Sequence, residues 1–215
     1  PQLGETMACG PTGILLVQLE GGRVVAATVD TAALASHPFD AEPLSNVTRM
    51  MAVLRPPLEF FLQQGLSTST FGDALDEEDG CAYVGFPGAP HNLSSTWLAD
   101  GVVYAYCGLR ALQRNVHDSG PPPVPHVLRP SLEILPPNTA DSHSAEEFGF
   151  AVSAHEETLA IGAPRRHTIV SSMPDGPDHG SVSVFEASAQ RLPRYPRPWN
   201  TSHTEVSPAI PDGGP

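Results

Sequence analysis

An internal repeat constrains the fold of this chain more than any other feature. Val53-Leu54-Arg55-Pro56 returns 74 residues later as Val127-Leu128-Arg129-Pro130, and Leu58-Glu59-Phe60-Phe61 is matched by Leu132-Glu133-Ile134-Leu135. Phe71-Gly72 corresponds to Phe148-Gly149, 77 residues on. The run Val84-Gly85-Phe86-Pro87-Gly88-Ala89-Pro90 faces Ala160-Ile161-Gly162-Ala163-Pro164, and its closing Ala-Pro pair returns to the 74-residue spacing. Residues gained in one loop are thus lost in the next. Gly101-Val102-Val103-Tyr104-Ala105-Tyr106 then matches Gly180-Ser181-Val182-Ser183-Val184-Phe185. A third, truncated copy opens the chain, because Glu5 to Pro11 reads like Glu157 to Pro164 with one deletion, and Gly13 to Leu19 supplies its last strand. The alternative is a β-sandwich with chance similarities, which four motifs in matching order disfavour.

Each copy is a set of short apolar or alternating runs punctuated by Gly and Pro, the pattern of antiparallel strands and their turns. The 24 prolines and 19 glycines, beside only 16% charged residues, suit many short strands better than long helices. One such sheet cannot bury both of its faces, so neighbouring copies are expected to stack. Alternation of Val182 with Val184, and of Tyr104 with Tyr106, turns one face toward an adjoining sheet.

Phe-Gly, a strand, Gly-Ala-Pro and Gly-x-Val-x-Val-aromatic occur in that order. They are clearest in Phe148 to Ser153, Leu159 to Pro164 and Gly180 to Phe185. This series resembles the FG-GAP repeat of integrin α-subunit β-propellers and of glycosylphosphatidylinositol-specific phospholipase D. The copy at Phe71 inserts Phe-Pro before Gly88, and the opening copy lacks its Phe-Gly. The resemblance covers roughly residues 5–19 and 53–187 and implies four-stranded blades around a central axis. The expected fold class is therefore all-β, an incomplete β-propeller of FG-GAP-like four-stranded antiparallel blades, since a closed ring takes about four to eight. The division expected is 1–48, a truncated first blade and connector; 49–124 and 125–187, two blades; and 188–215, a Pro/Ser/Thr-rich linker or the start of a further blade. The segments before Phe71 and Phe148 are expected to carry outer strands of preceding blades. Other blades or chains would complete the propeller.

Strand placement speaks to the three cysteines. Cys81 begins one strand and Cys107 ends the next, so antiparallel pairing sets them opposite each other and predicts a disulfide. Cys9 aligns with Ile161 in mid-strand, where a thiol acts as a small hydrophobe; a bond to an absent partner is the competing reading.

Asp73, Asp76, Glu77, Glu78, Asp79 and Gly80 fall where calcium-binding FG-GAP repeats carry acidic ligands between the first two strands, and Asp73, Asp76, Glu78 and Asp79 are the candidate ligands. Calcium takes six to eight oxygens from such a loop. The spacing departs from the family's Asp-x-Asp-x-Asp-Gly-x-x-Asp, so the residues predict either a calcium site or a solvated acidic turn. The loops joining strands two and three, His91 to Asp100 and Arg165 to His179, lie on the face that binds ligand in integrins. Trp97, Arg165, Arg166 and His167 are the candidate ligand-binding residues, because aromatic and guanidinium groups favour binding anchors.

A net charge of −13 argues against nucleic acid, which calls for a basic face. No stretch approaches the roughly 20 apolar residues of a membrane helix, and the N-terminus lacks a signal peptide's pattern, so a soluble mature chain or a fragment is expected. Sequons at Asn46, Asn92 and Asn200 predict glycosylation and an extracellular or cell-surface location. Nine histidines form no zinc motif, and no nucleophile elbow is present. The expected role is non-catalytic adhesion or ligand binding, with a matrix or cell-surface protein as partner. The alternatives are the propeller part of a phospholipase D-like enzyme, or a structural cell-wall or surface-coat glycoprotein.

Overall fold

The structure, a computed structural model, describes residues 3–29, 48–57, 70–89, 101–119, 124–136, 147–165, 180–187 and 199–206. Its first sheet is a complete antiparallel meander: β1 (Leu3–Cys9), β2 (Ile14–Leu19), β3 (Arg23–Val29) and β4 (Thr48–Leu54). The second begins with β5 (Leu75–Glu78), β6 (Cys81–Phe86) and β7 (Val102–Cys107). Helix α1 (Leu109–Ser119) and β8 (His126–Leu128) follow before β9 (Leu132–Ile134) completes it beside β7. β8 crosses back to pair in parallel with β4, setting Val53 opposite Val127. The third sheet is β10 (Ala151–His155), β11 (Thr158–Ala163), β12 (Ser181–Ala187) and β13 (Trp199–Val206), again in chain order.

The all-β class expected from the repeat is therefore present, as antiparallel sheets. The division of the chain differs. The opening copy is not truncated: β3, which the motif comparison passed over, and β4 complete it. Its β1 is the first strand and pairs with β2 as β5 pairs with β6, whereas the comparison had set it against β11, a second strand. The segments before Phe71 and Phe148 supply β4 and β9, the fourth strands of the preceding sheets. Divisions at 48/49 and 124/125 thus do not coincide with the sheets. Nor does that at 187/188, because β13 of the Pro/Ser/Thr-rich tail pairs with β12, Val206 opposite Val182.

Each sheet packs on the next, which is what thin apolar units require. Ile14, Leu16, Val24 and Ala26 of the first sheet share one core with Val84, Phe86, Tyr104 and Tyr106 of the second. On the opposite face of the second sheet, Tyr83, Val103 and Ala105 share another core with Leu159, Ile161 and Phe185 of the third. Every residue of β6 is consequently buried. At about 1.5–3 kcal/mol for each large apolar side chain withdrawn from water, these two seams dominate the stability.

The repeat is visible in the aromatic packing. Phe71 meets Tyr106 edge-to-face at 6.4 Å and 76°, and Phe148 meets Phe185 at 6.3 Å and 77°. Such pairs add about 0.5–1.5 kcal/mol beyond burial. Phe-Gly is thus an anchor, its ring seated under the third strand of its own sheet.

Helix α1 was not expected. Leu109, Leu112 and Val116 recur at helical spacing, with Leu109 and Val116 buried and Leu112 packed on the first core. The Leu109 amide donates to the Gly80 carbonyl at 3.0 Å, which ties the helix start to the β5–β6 hairpin. Among the described residues no helix is long and apolar enough to cross a membrane.

Candidate functional site

The acidic segment is mostly strand, not loop. Asp76, Glu77 and Glu78 belong to β5, and only Asp79-Gly80 forms the connection to β6. Asp79 (φ 53°) and Gly80 (φ 78°) both adopt left-handed backbone, as a two-residue turn of type I′ requires. The hairpin leaves no room for an extended cation loop.

Its carboxylates point to different partners. Asp73 accepts from Gln18 Nε2 at 2.9 Å, and the same amide nitrogen donates to the Phe71 carbonyl at 3.2 Å. Asp76 Oδ2 accepts the Ala154 amide at 2.6 Å, and Glu78 Oε1 accepts the Glu156 amide at 3.2 Å. Asp79 pairs with Arg110 of α1 at 3.0 Å. Asp73 therefore reaches the first sheet, Asp76 and Glu78 the third, and Asp79 the helix. The four candidate calcium ligands do not converge, and among the described residues no three His, Cys, Asp or Glu side chains stand close enough to share a metal ion. What the arrangement does is join sheets through charge-assisted hydrogen bonds.

Glu77 lies in the acidic run but was not one of the four candidate ligands, yet among the described residues it is the most buried acid, at 1% exposure. Its Oε1 accepts the Gly80 amide at 2.7 Å, and its Oε2 accepts the Thr12 hydroxyl at 2.6 Å. A side chain at Gly10 would collide with this carboxylate, so the β1–β2 turn closes directly over it. Alternation along β5, where Leu75 and Glu77 are buried and their neighbours half-buried, was the signal that could have singled it out.

The disulfide is where strand pairing put it. Cys81 and Cys107 are opposed across β6 and β7 with Cα atoms 4.1 Å apart, and they are bonded. The cross-link spans 26 residues and so constrains the unfolded chain by roughly 3 kcal/mol. It cross-links β6 and β7, the second and third strands of their sheet. Cys9 departs from expectation: it is exposed and free at the end of β1, because β1 is an outermost strand of its sheet and not the apolar second strand.

Of the candidate ligand-binding residues, Arg165 is exposed just beyond β11 and pairs with Glu147 at 3.1 Å. Trp97, Arg166 and His167 lie outside the described residues, as do Asn46 and Asn92, while Asn200 falls on β13. In the first sheet the corresponding connection shrinks to Glu20, Gly21 and Gly22 between Leu19 and Arg23.

Tyr104 and Tyr106 stand on the seam between the first two sheets. Burial raises both hydroxyl pKa values above the ordinary tyrosine range, reinforced at Tyr104 by the Glu133 charge and at Tyr106 by Tyr104. Tyr106 donates to the Arg55 carbonyl at 2.7 Å. Both act as neutral structural groups.

No known family model matches the chain, and no characterised protein does.

Proposed function

We propose that this chain is an extracellular, non-catalytic β-propeller segment of the FG-GAP type that binds a protein on a cell surface or in the matrix. The observation that carries the reading is the position of β5, which lies against β1 of the first sheet and β10 of the third. First strands gathered together, with strands two to four following in order behind each, are what blades around an axis require. Connections between strands two and three then leave the same end of successive sheets, and rigid sheets presenting variable loops make a binding face. The disulfide and three sequons are compatible with an oxidising, glycosylating route.

The test is saturable binding of glycosylated chain, expressed through a secretory route, to intact cells and to extracellular matrix. Replacing Trp97, Arg165, Arg166 and His167 together with alanine is expected to weaken binding about tenfold or more while leaving the melting temperature unchanged. Binding that never exceeds a glycosylated control, or that ignores the four substitutions, defeats the reading.

A further inference from the structure

The Phe-Gly lead-in is held differently at the two seams. At the first, Gln18 of β2 donates to the Phe71 carbonyl at 3.2 Å and to the Asp73 carboxylate at 2.9 Å. At the second, the last residue but one of the strand is Gly85 in place of glutamine, and a Cβ there would already collide with the Gly149 carbonyl. Phe150 follows Phe148 as Asp73 follows Phe71. Gly85 has no side chain with which to reach it.

Phe150 is 56% exposed, the one exposed aromatic ring among the described residues. A further sheet is not what this position lacks. Asp73 is exposed as well, although the second sheet is covered on both faces, so the place lies open at an end of the stack.

Arg165 is brought to the same place. The Phe150 amide donates to the Glu147 carbonyl at 3.1 Å and closes a turn, which the Gly149 amide joins to β11 by donating to the Gly162 carbonyl at 3.0 Å. Just beyond β11, the Arg165 guanidinium lies 3.1 Å from the Glu147 carboxylate. The Arg165 side chain is 60% exposed against 24% for Glu147, so the acid is the inner partner and the guanidinium the outer one. Glu147 also has left-handed backbone (φ 55°), uncommon outside glycine and of the kind that gathers at functional sites. In the second sheet the corresponding residue, Thr70, fastens the start of the same connection by accepting the Gly88 amide at 3.2 Å. Glu147 does the same for a charged side chain.

We propose that Phe150 and Arg165 form one contact site for a protein segment carrying an acidic residue beside an apolar one, with Glu147 positioning Arg165. Aromatic rings and guanidinium groups are enriched where interfaces bury their centres. A guanidinium has five N–H donors in a planar fork, and after meeting Glu147 it keeps donors for a second carboxylate. In a chain of net charge −13, one fixed cation decides where an acidic partner can approach. The site lies where the connection between strands two and three leaves the third sheet. It rests on the proposed reading of that end as a binding face, and adds a chemistry to it.

The test is selection of random linear peptides displayed on phage against the immobilised glycosylated chain, followed by titration of the enriched peptides as synthetic probes. The expected consensus holds Asp or Glu next to a large apolar residue. Phe150→Ser and Arg165→Ala are each expected to weaken these peptides about tenfold and Phe150→Tyr to retain them, all three with unchanged circular dichroism and melting temperature. Glu147→Gln is expected to weaken them in the parent chain and to add nothing in the Arg165→Ala background, a coupling that a merely structural role would not produce. No enriched peptide, a consensus without an acid, or peptides indifferent to Phe150→Ser overturns the proposal. Cells or matrix bound by a chain that enriches no such peptide would remove this site and leave the proposed function standing; expected peptides with no binding to cells or matrix would do the reverse.

Discussion

Two neutral tyrosines on one buried face give the molecule an alkaline limit. The phenolate is the charged form, and burial opposes it at Tyr104 and Tyr106, so both hydroxyls hold their protons in the folded chain beyond the ordinary value near 10. Above about pH 10 the unfolded chain has released protons that the folded chain retains, and unfolding free energy falls as pH rises; below that the two states agree and the contribution is intact. Tyrosinate absorbance is accordingly expected to rise in two steps, the later coinciding with loss of the sheet circular dichroism. Tyr106→Phe should shift that later step to higher pH, while loss of the bond to Arg55 costs about 1 kcal/mol at neutral pH. If all four tyrosines of the sequence titrate together in a chain that stays folded, the account is wrong. Individual residues were legible in the sequence where strand direction decided their place. Cys81 and Cys107 stand at the start and end of neighbouring strands, and pairing follows. Cys9 was not, since its surroundings depend on which strand of the sheet β1 is, and the spacing of Glu5 to Pro11 fits two of them.

At the scale of elements, the β5–β6 hairpin shows why an acidic run is ambiguous in a sequence. Charge density suggests a solvated loop or a cation site, but alternation within it decides which carboxylate faces inward, and that one joins two turns. Glu77→Ala removes the acceptor of the Gly80 amide and of the Thr12 hydroxyl and empties the space beneath Gly10. We expect a loss of about 2–4 kcal/mol, read as a lower urea midpoint at unchanged slope. Glu77→Gln keeps the shape and one acceptor oxygen, and its amide can donate to Thr12, so about 1 kcal/mol is expected. Equal stability of Glu77→Ala and the parent chain would show that the hairpin docks without this residue. Helix α1 and β13 were missed for a different reason. The Leu109, Leu112, Val116 spacing is helical, but a repeat read as strands hides a departure from it between two of its strands. β13 carries polar residues between prolines and is placed by its partner β12, whose exposed backbone edge it completes.

The whole molecule behaves as a short stack in which each sheet is stabilised by its neighbours, so damage at one seam should stay on its far side. The second sheet is covered on both faces, whereas the third leans on one seam through Gly85, Gly101 and the Phe148 ring. This stacking was legible from the repeat, because a module with apolar runs facing both ways needs siblings. The order in which strands are shared was not, since it depends on loops of unequal length. Gly85→Ala puts a methyl group against the Gly149 carbonyl, and backbone must move; overpacking of this kind costs about 1–3 kcal/mol. In dilute solution, hydrogen exchange should then show lost protection in β10, β11 and β12, while β2 and β3 keep theirs, because the first seam is untouched. Uniform loss across all three sheets would mean one indivisible core, in which the repeat governs the pattern of residues but not the way stability is distributed.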